Sequence, residues 1–244
     1  MEIIPLTQGN FQVDKNKNFI PIISENNNQG ISDGLNISVR PFVVITSNQT
    51  ILLDAGLGSR DQESPPLSES IRAQGLVNDQ ITTILLSHLH KDHIGGLGYF
   101  RNGSFRPQFP NAKIYLQARE LEFAQSQTQN PSYDQLLLNE LACMPNLIRM
   151  DKQSDSITPE ISYQVSGGHT PYHQVFWIRA YGKTVFYGGD VLPKISYINF
   201  PGAYKTDHDG KLALRERQQW VKTATKENWK ILLYHDSQNE AAFL

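Results

Sequence analysis

Three of the seven histidines of this chain lie within six positions, in the stretch SHLHKDHIGG at 87–96. An apolar, β-branched run, ITTILL, precedes this stretch and predicts a buried strand. Alternate side chains of an extended segment point to the same side, so His88 and His90 can reach one cation. Asp92 and His93 follow where the chain turns towards a helix, and they can reach a neighbouring position. A histidine-rich surface loop is the alternative, but the position between an apolar strand and a glycine pair favours a metal site.

Further candidate ligands follow other predicted strands. His169 lies in SGGHTPYHQ after the strand-like ISYQV, Asp190 ends FYGGD, and His235 lies in LLYHD near the end of the sequence. Side chains that follow several strands can converge at one sheet edge, although a single histidine after a strand is more often an ordinary loop residue. Together these positions complete a set of five histidines and two aspartates: His88, His90, Asp92, His93, His169, Asp190 and His235.

Composition excludes several other kinds of site and partner. The single Cys143 excludes an internal disulfide and a zinc cluster built on cysteines. A formal net charge of −2 indicates no basic face for a nucleic-acid backbone, and no stretch approaches the roughly 20 apolar residues of a membrane span. The first residues lack the apolar segment of a signal peptide. We therefore expect a cytoplasmic protein with a small-molecule substrate and without a nucleic-acid or membrane partner, and a homodimer stays open.

Strands and helices are predicted to alternate along the chain, which is typical of an α/β fold. The predicted strands are two runs around the turn SNQT in LNISVRPFVVITSNQTILLDAGLG, then ITTILLS, AKIYLQ, ISYQV, the hairpin QVFWIRAYGKTVFYGGD, and WKILLYHD. The predicted helices are LSESIRAQG, ARELEFAQSQ and LRERQQWVKTATK. No linker, repeat or charge block divides the sequence, so we expect residues 1–244 to form a single domain.

The motifs, in this order, resemble those of the metallo-β-lactamase superfamily. HLHKDH has the H-x-H-x-D-H pattern of that superfamily, GHTPYH, GGD and YHD are similar to its later metal motifs, and ILLDAGLG resembles its early Asp-Gly motif. The resemblance implies an α/β fold that forms a four-layered αβ/βα sandwich with the metals at one edge of two sheets. It also implies that His88, His90 and His169 hold one metal, that Asp92, His93 and His235 hold the other, and that Asp190 bridges them.

Differences from other branches favour the compact branch with the N-acyl homoserine lactonases and methyl-parathion-hydrolase-like enzymes. Classical zinc β-lactamases lack a histidine at the position of His93, and flavodiiron proteins place glutamate at that of His90. We expect neither the helical domain of glyoxalase II nor the RNA-clamping insertion of the nucleases from this sequence. One departure counts against a simple lactonase, because Pro193 occupies the position of the usual catalytic tyrosine. The tyrosines that could substitute are Tyr172, Tyr187 and Tyr197.

This ligand set implies hydrolysis without a serine or cysteine nucleophile. Two cations can hold a hydroxide between them, and Asp92 is positioned to orient it and to pass a proton to the leaving group. The nitrogen and oxygen donors favour zinc, and manganese, iron or cobalt also fit. We predict attack on an ester-type bond, first a lactone such as an N-acyl homoserine lactone. The alternatives are a phosphotriester or aryl ester, a phosphodiester, and a metal-binding protein without activity.

Other residues near these motifs have more modest interpretations. Asp54 either holds the ring N–H of a histidine ligand or is an ordinary turn aspartate before Gly56. His173 is not expected to bind metal, and His208 is expected in an exposed loop that could line the pocket. The apolar and aromatic segment VLPKISYINFPGAY after Asp190 either forms a wall of the substrate site or packs in the core.

Overall fold

The computed structural model describes residues 1–22, 34–58, 66–199 and 201–243 of the chain. In these residues the strands are, in chain order, β1 (Glu2–Pro5), β2 (Gly9–Val13), β3 (Phe19–Pro21), β4 (Leu35–Val39), β5 (Phe42–Ile45), β6 (Thr50–Leu53), β7 (Thr83–Leu85), β8 (Gly98–Arg101), β9 (Ser104–Pro107), β10 (Lys113–Gln117), β11 (Leu147–Met150), β12 (Ser154–Ser156), β13 (Ile161–Val165), β14 (Gln174–Ala180), β15 (Lys183–Tyr187), β16 (Lys230–Leu232) and β17 (Ala241–Phe243). The α-helices are α1 (Pro66–Ala73), α2 (Lys91–Ile94), α3 (Ala118–Ser126), α4 (Gln135–Cys143), α5 (Ser196–Asn199) and α6 (Gly210–Glu227). Short 3₁₀ turns cover Asn78–Gln80, Gly95–Leu97 and Gly189–Val191.

Two six-stranded sheets form the body of the fold. The first has the order β1-β5-β6-β7-β10-β11, with antiparallel pairs at its start and parallel pairs from β6 onwards. The second has the order β12-β13-β14-β15-β16-β17, and only its β15–β16 pair is parallel. The two smaller sheets are β3-β2-β4 and the hairpin β8-β9.

Apolar side chains cover both faces of each large sheet. Along β6, Ile51 and Leu53 point into the cluster shared with Phe176 and Val185 of the second sheet, whereas Leu52 points to the opposite face. Burial on both faces explains why these strands appear in the sequence as continuous apolar runs. The two sheets therefore pack against each other through one core.

Helices cover the outer faces of both sheets. On the first sheet, α1, α3 and α4 contribute Leu67, Leu121 and Leu138 to a cluster with its outward side chains. On the second sheet, α6 contributes Trp220, which packs edge-on to Trp177 with ring centroids 6.4 Å apart. The resulting order of helix, sheet, sheet and helix is the four-layered αβ/βα sandwich that the resemblance in motifs implies.

Most predicted elements are present, and one is divided. The segment before the turn SNQT contains two strands, β4 and β5, because Arg40–Pro41 interrupts it. Proline has no N–H to donate to a neighbouring strand, so β4 leaves the first sheet and pairs with β2 instead. In the part of the chain that the structure describes, no helix has the length and apolar composition needed to cross a membrane.

Candidate metal centre

The proposed ligands all follow strands of the two large sheets. His88 and His90 lie in the loop after β7, and α2 begins directly after His90, so that Asp92 and His93 occupy its single turn. His169 lies in the loop between β13 and β14. Asp190 occupies the 3₁₀ turn after β15, and His235 follows β16. The sheets thus bring residues from distant parts of the sequence to one edge of the sandwich.

The first cluster contains His88, His90, His169 and Asp190, with one candidate ligand atom of each within 4.8 Å of the others. Nδ1 of His90 lies 2.9 Å from Nε2 of His88 and 3.2 Å from Nε2 of His169. Nε2 of His169 lies 3.3 Å from Oδ2 of Asp190. Three imidazole nitrogens and one carboxylate oxygen therefore converge on a single point.

The second cluster contains Asp92, His93 and His235. Oδ2 of Asp92 lies 3.8 Å from Nε2 of His93 and 3.6 Å from Nε2 of His235. Oδ1 of Asp190 lies 3.3 Å from Nε2 of His93 and 3.0 Å from Nε2 of His235. The two oxygens of Asp190 thus face different clusters, which is the arrangement expected of a bridging carboxylate.

The donor atoms fit cations better than they fit one another. Nε2 of His93 and Oδ1 of Asp190 are buried and lie 3.3 Å apart, but neither makes a well-aligned hydrogen bond among the described residues. Buried polar atoms normally have well-aligned partners, so two such atoms that face each other fit a cation. Nitrogen and carboxylate donors without a thiolate suit zinc, manganese, iron or cobalt. Cys143 lies exposed on α4, in neither cluster.

Electrostatics at the site also favour cations. Burial opposes charge on Asp190, but His235, His93 and His169 hold its pKa well below the usual value, so it is ionised. Burial, together with the neighbouring histidines, lowers the pKa of His88 and His90, which keeps both rings neutral. For His93 burial is outweighed by Asp190, Asp92 and Asp54, which raise its pKa. Surroundings that favour a proton on the His93 ring also favour a metal ion bound where that proton would be.

Carboxylates and a carbonyl orient three of the histidine rings through their Nδ1 atoms. Nδ1 of His93 lies 2.7 Å from Oδ2 of Asp54, a fully buried residue at φ 53°. Nδ1 of His169 lies 2.7 Å from Oδ1 of Asp207, and Nδ1 of His235 lies 2.7 Å from the Ser38 carbonyl oxygen. Such partners fix the orientation of a histidine ring, so that its Nε2 atom can face a metal. Of the two interpretations of Asp54, the structure supports the one in which it holds a histidine.

Asp207 and Ser38 are partners that sequence reasoning missed. Asp207 lies in KTDHDG, and Ser38 acts through its backbone carbonyl, which carries no side-chain pattern at all. An acidic residue shortly before α6 was the available signal for Asp207, but only the contact with His169 shows its use.

The two remaining histidines do not belong to either cluster. His173 is fully buried, and its Nε2 accepts the backbone N–H of Asp190 at 3.2 Å. It therefore holds the bridging residue through the backbone, consistent with the prediction that it is not a ligand. His208 is exposed, as predicted, and it lines the cavity in front of the clusters.

The clusters open into a cavity of about 280 Å³. Asp92, Asp190 and His235 reach its floor, and Phe19, Phe123 and further apolar side chains form much of its wall. The ring of Tyr133 packs edge-on to His90 with centroids 4.9 Å apart. The cavity therefore combines a polar floor with a mixed wall, in which Lys17, Lys91 and neutral polar groups lie beside the apolar side chains.

The segment after Asp190 forms only a small part of this wall, so it agrees better with packing in the core than with a wall of the substrate site. Among its described residues only Tyr204 lines the cavity, while Val191 and Leu192 pack in the core against α6. Phe200 lies outside the described residues. Of the tyrosines considered as replacements at the Pro193 position, Tyr187 donates its hydroxyl to Asp54 in the interior, and Tyr172 and Tyr197 do not line the cavity.

Tyr204 is the tyrosine that sequence reasoning missed. Its ring lies 6.1 Å from that of His169, and its buried hydroxyl makes no fully aligned hydrogen bond within the described ranges, although it interacts with the hydroxyl of Tyr197. The backbone N–H of Tyr204 donates to Oδ2 of Asp207, so one carboxylate orients both Tyr204 and His169. Its position in the aromatic segment after Asp190 was the available sequence signal. Tyr204 lies far from the metal motifs in sequence, so this signal did not single it out.

Known proteins resemble this chain in sequence and in fold. An N-acyl homoserine lactonase of Bacillus cereus is 28% identical over 232 residues, which cover 84% of this chain and 84% of that protein. A ribonuclease Z of Mycolicibacterium gilvum is 26% identical over 166 residues, or 62% of this chain and 54% of that protein.

Solved structures share the whole fold. A probable metal-dependent hydrolase from Staphylococcus aureus has a TM-score of 0.78 at 21% identity, and the match covers 99% of this chain and 91% of that one. A dizinc quorum-quenching lactonase in complex with a product has a TM-score of 0.74 at 23% identity, with 99% and 89% covered. Residues 38–224 match the sequence profile of the metallo-beta-lactamase superfamily, which is most of the chain. The four layers, the donor clusters at one sheet edge and this match together show that the chain belongs to the metallo-β-lactamase superfamily.

Proposed function

We propose that this protein is a binuclear metal-dependent hydrolase of ester-type bonds, with a lactone as the first expected substrate. The observation that carries the proposal is the sharing of Asp190 by two donor clusters that open into one cavity. Similarity to the N-acyl homoserine lactonase of Bacillus cereus supports a lactone over other esters.

Each cation has a proposed place among the donor atoms. His88, His90 and His169 would hold one, and Asp92, His93 and His235 would hold the other, with Asp190 between them. Zinc is the first expectation, and manganese, iron or cobalt would suit the same donors. When bound, such a pair supplies an activated water near neutral pH and polarises a carbonyl oxygen.

Asp92 is the proposed proton carrier. Its side chain reaches the cavity, and its Oδ2 stands 3.6 Å from Nε2 of His235. The hydroxyl of Tyr234 donates to the backbone carbonyl oxygen of Asp92 at 2.6 Å, which fixes the backbone of α2 at this point. A carboxylate held in this way can accept a proton from the attacking water and deliver it to the leaving oxygen.

Tyr204 is the proposed donor to the substrate carbonyl oxygen. Burial, with Asp190 nearby, raises the pKa of its hydroxyl well above the usual value, so the group keeps its proton at neutral pH. The hydroxyl interacts with Tyr197 but makes no fully aligned hydrogen bond among the described residues, and a substrate oxygen in the cavity would provide one. This role replaces the tyrosine that related lactonases have at the position of Pro193.

The apolar part of the cavity wall suits an apolar substituent of the substrate. Val13, Phe19, Ile37 and Phe123 supply apolar surface around the opening. Burial of an acyl chain there contributes roughly 0.8 kcal/mol for each CH₂ group. The leaving alkoxide of a lactone stays tethered to the acyl part, so it remains near Asp92 until it receives a proton.

The test is a titration of proton release by metal-loaded protein from γ-lactones with acyl chains of increasing length. The proposal predicts ring opening, with kcat/KM rising as the chain lengthens. Parallel assays use an aryl ester, a phosphotriester and a phosphodiester. Cleavage of phosphodiesters with no lactone opened would move the function towards the chemistry of the ribonuclease Z relative. No hydrolysis of any substrate would leave only a metal-binding protein.

A further inference from the structure

Glu120 is a buried carboxyl group that belongs to neither donor cluster. It lies in the first turn of α3, directly after β10, and its side chain is 1% exposed. In the sequence it is an ordinary charged residue of a helix with polar composition. Buried glutamates are rare unless they are paired, and no basic side chain appears among the groups that affect the pKa of Glu120. A carboxyl group in such a position needs a structural or functional reason.

The contacts of Glu120 join the two loops that carry the histidines of the first cluster. The hydroxyl of Thr170 donates to Oε2 of Glu120 at 2.8 Å, and Thr170 directly follows His169. Leu89 lies between His88 and His90, and its backbone N–H is close enough to this carboxyl group to lower the pKa of Glu120. The backbone N–H of Tyr172, in the loop of His169, has the same effect, although Oε1 of Glu120 has no full hydrogen-bond partner among the described residues. One carboxyl group thus accepts a hydrogen bond from the loop of His169 and lies beside a backbone N–H of the loop that carries His88 and His90.

We infer that Glu120 is a positioning residue that holds His88, His90 and His169 at the separation that one cation requires, and so sets the affinity of the first cluster. The inference rests on the proposed binuclear function. It applies to the first cluster only, because Asp92, His93 and His235 are oriented by other partners such as Asp54 and Ser38.

The energetics of the site support a functional use of this group. Burial raises the pKa of Glu120 to about 8, even though Thr170 and the backbone N–H groups of Leu89 and Tyr172 lower it. A fold that needed only to fill this space would be better served by an apolar side chain, because burial of a carboxyl group is costly. An apolar side chain cannot supply acceptor oxygens, and those of Glu120 bind the Thr170 hydroxyl in one loop and face the Leu89 N–H in the other.

The test compares zinc binding in three variants by calorimetric titration of protein stripped of metal. Glu120→Leu fills the same space without acceptor atoms, and Glu120→Gln keeps one carbonyl oxygen as an acceptor. Glu122→Gln is the matched control, because Glu122 lies exposed on the same helix. Partners of this kind typically change metal affinity by about 10- to 100-fold. We expect Glu120→Leu to weaken one of two zinc-binding events by about that factor and to leave the other unchanged.

Two comparisons separate positioning from a structural role. We expect Glu120→Gln to restore most of the lost affinity, and Glu122→Gln to bind as the unmodified protein does. Thr170→Val removes only the hydrogen bond between the Thr170 hydroxyl and Glu120. We expect it to weaken the same zinc-binding event as Glu120→Leu, by a smaller factor. It provides a second route if Glu120→Leu does not fold.

The inference is overturned if folded Glu120→Leu and Thr170→Val each bind two zinc ions with unchanged affinities. Equal weakening of both binding events would also overturn it, because that result indicates a general loss of structure. If the unmodified protein binds no more than one zinc ion, the proposed binuclear function fails instead. The two failures are therefore distinguishable.

Discussion

Replacement of Glu120 by glutamine should change how stability depends on pH in the metal-free protein. The folded structure raises the pKa of this carboxyl group from the ordinary 4.5 to about 8, because burial disfavours its charged form. The folded state therefore binds more protons than the unfolded state between these two values, and stability falls as pH rises through this window. Glutamine does not titrate, so the Glu120→Gln variant lacks this loss.

The size of the effect follows from the shift in pKa. Each pKa unit corresponds to about 1.36 kcal/mol, so a shift from 4.5 to about 8 corresponds to roughly 5 kcal/mol at pH 8 and above, and to roughly 3 kcal/mol at pH 7. The difference in unfolding free energy between Glu120→Gln and the unmodified protein should therefore grow by roughly this amount from pH 4.5 to pH 8. At high pH the Glu120→Gln variant should therefore be the more stable of the two proteins.

The assay is urea unfolding in the presence of a chelator at several pH values, with the free energy in water obtained by linear extrapolation. The ligand residues also titrate in the metal-free protein, but they do so in both proteins and cancel in the difference. Glu122→Gln, at an exposed position, should show a nearly constant difference. A difference that stays flat for Glu120→Gln between pH 5 and pH 8 would refute the reasoning, because it would mean that the carboxyl group ionises freely in the fold.

Three further predictions concern catalysis and are checked by kinetics together with metal analysis. Asp92→Asn should lower kcat by roughly 10²–10⁴-fold while most of the metal is retained, because general acid–base steps contribute about that much; near-normal turnover would exclude the proton role. Asp190→Ala should lose at least one metal ion and nearly all activity, since each of its oxygens faces a different cluster; two bound ions in this variant would contradict the bridging role. Tyr204→Phe should lower kcat by roughly tenfold with unchanged metal content, because one hydrogen bond contributes about 0.5–1.5 kcal/mol; an unchanged kcat would remove Tyr204 from the proposal.

The sequence predicts the residues of the candidate metal centre better than the groups around them. His88, His90 and Asp92 lie close together in the chain, so their spacing alone brings them to one place. His169 and His235 depend on distant strands, and their assignment came from a resemblance in motif order. The structure brings all these side chains together with Asp190, and whether they bind metal stays a prediction.

The groups that orient the ligands could not be predicted for a physical reason. Asp207 and Glu120 act through contacts with loops that are distant in sequence, and such contacts exist only after the sheets have packed. Asp54 was easier to identify, because it follows a strand beside the metal motif and lies at an early Asp-Gly pair. A polar side chain bonds to whichever groups lie near it in the folded protein, and the periodicity of the sequence carries no information about these neighbours.

Apolar runs in the sequence predict the buried strands of the fold, but they do not predict every helix or where each element begins and ends. The strands β6, β7 and β14 are buried on both faces and therefore appear as continuous apolar segments. The helix α4 is absent from the predicted elements, because Leu136, Leu137 and Leu138 form a continuous run that does not distinguish a helix from a strand. In the structure Leu136 is 58% exposed, whereas Leu137 and Leu138 face the first sheet.

The proposed function depends on two cations that share Asp190, and elemental analysis of the reconstituted protein measures their number. Protein stripped with a chelator, reloaded with zinc and passed through a desalting column should contain two equivalents per chain. We expect this number because the two oxygens of Asp190 face two separate donor clusters. A value that stays near one equivalent, with zinc in excess and the protein folded, would contradict the account.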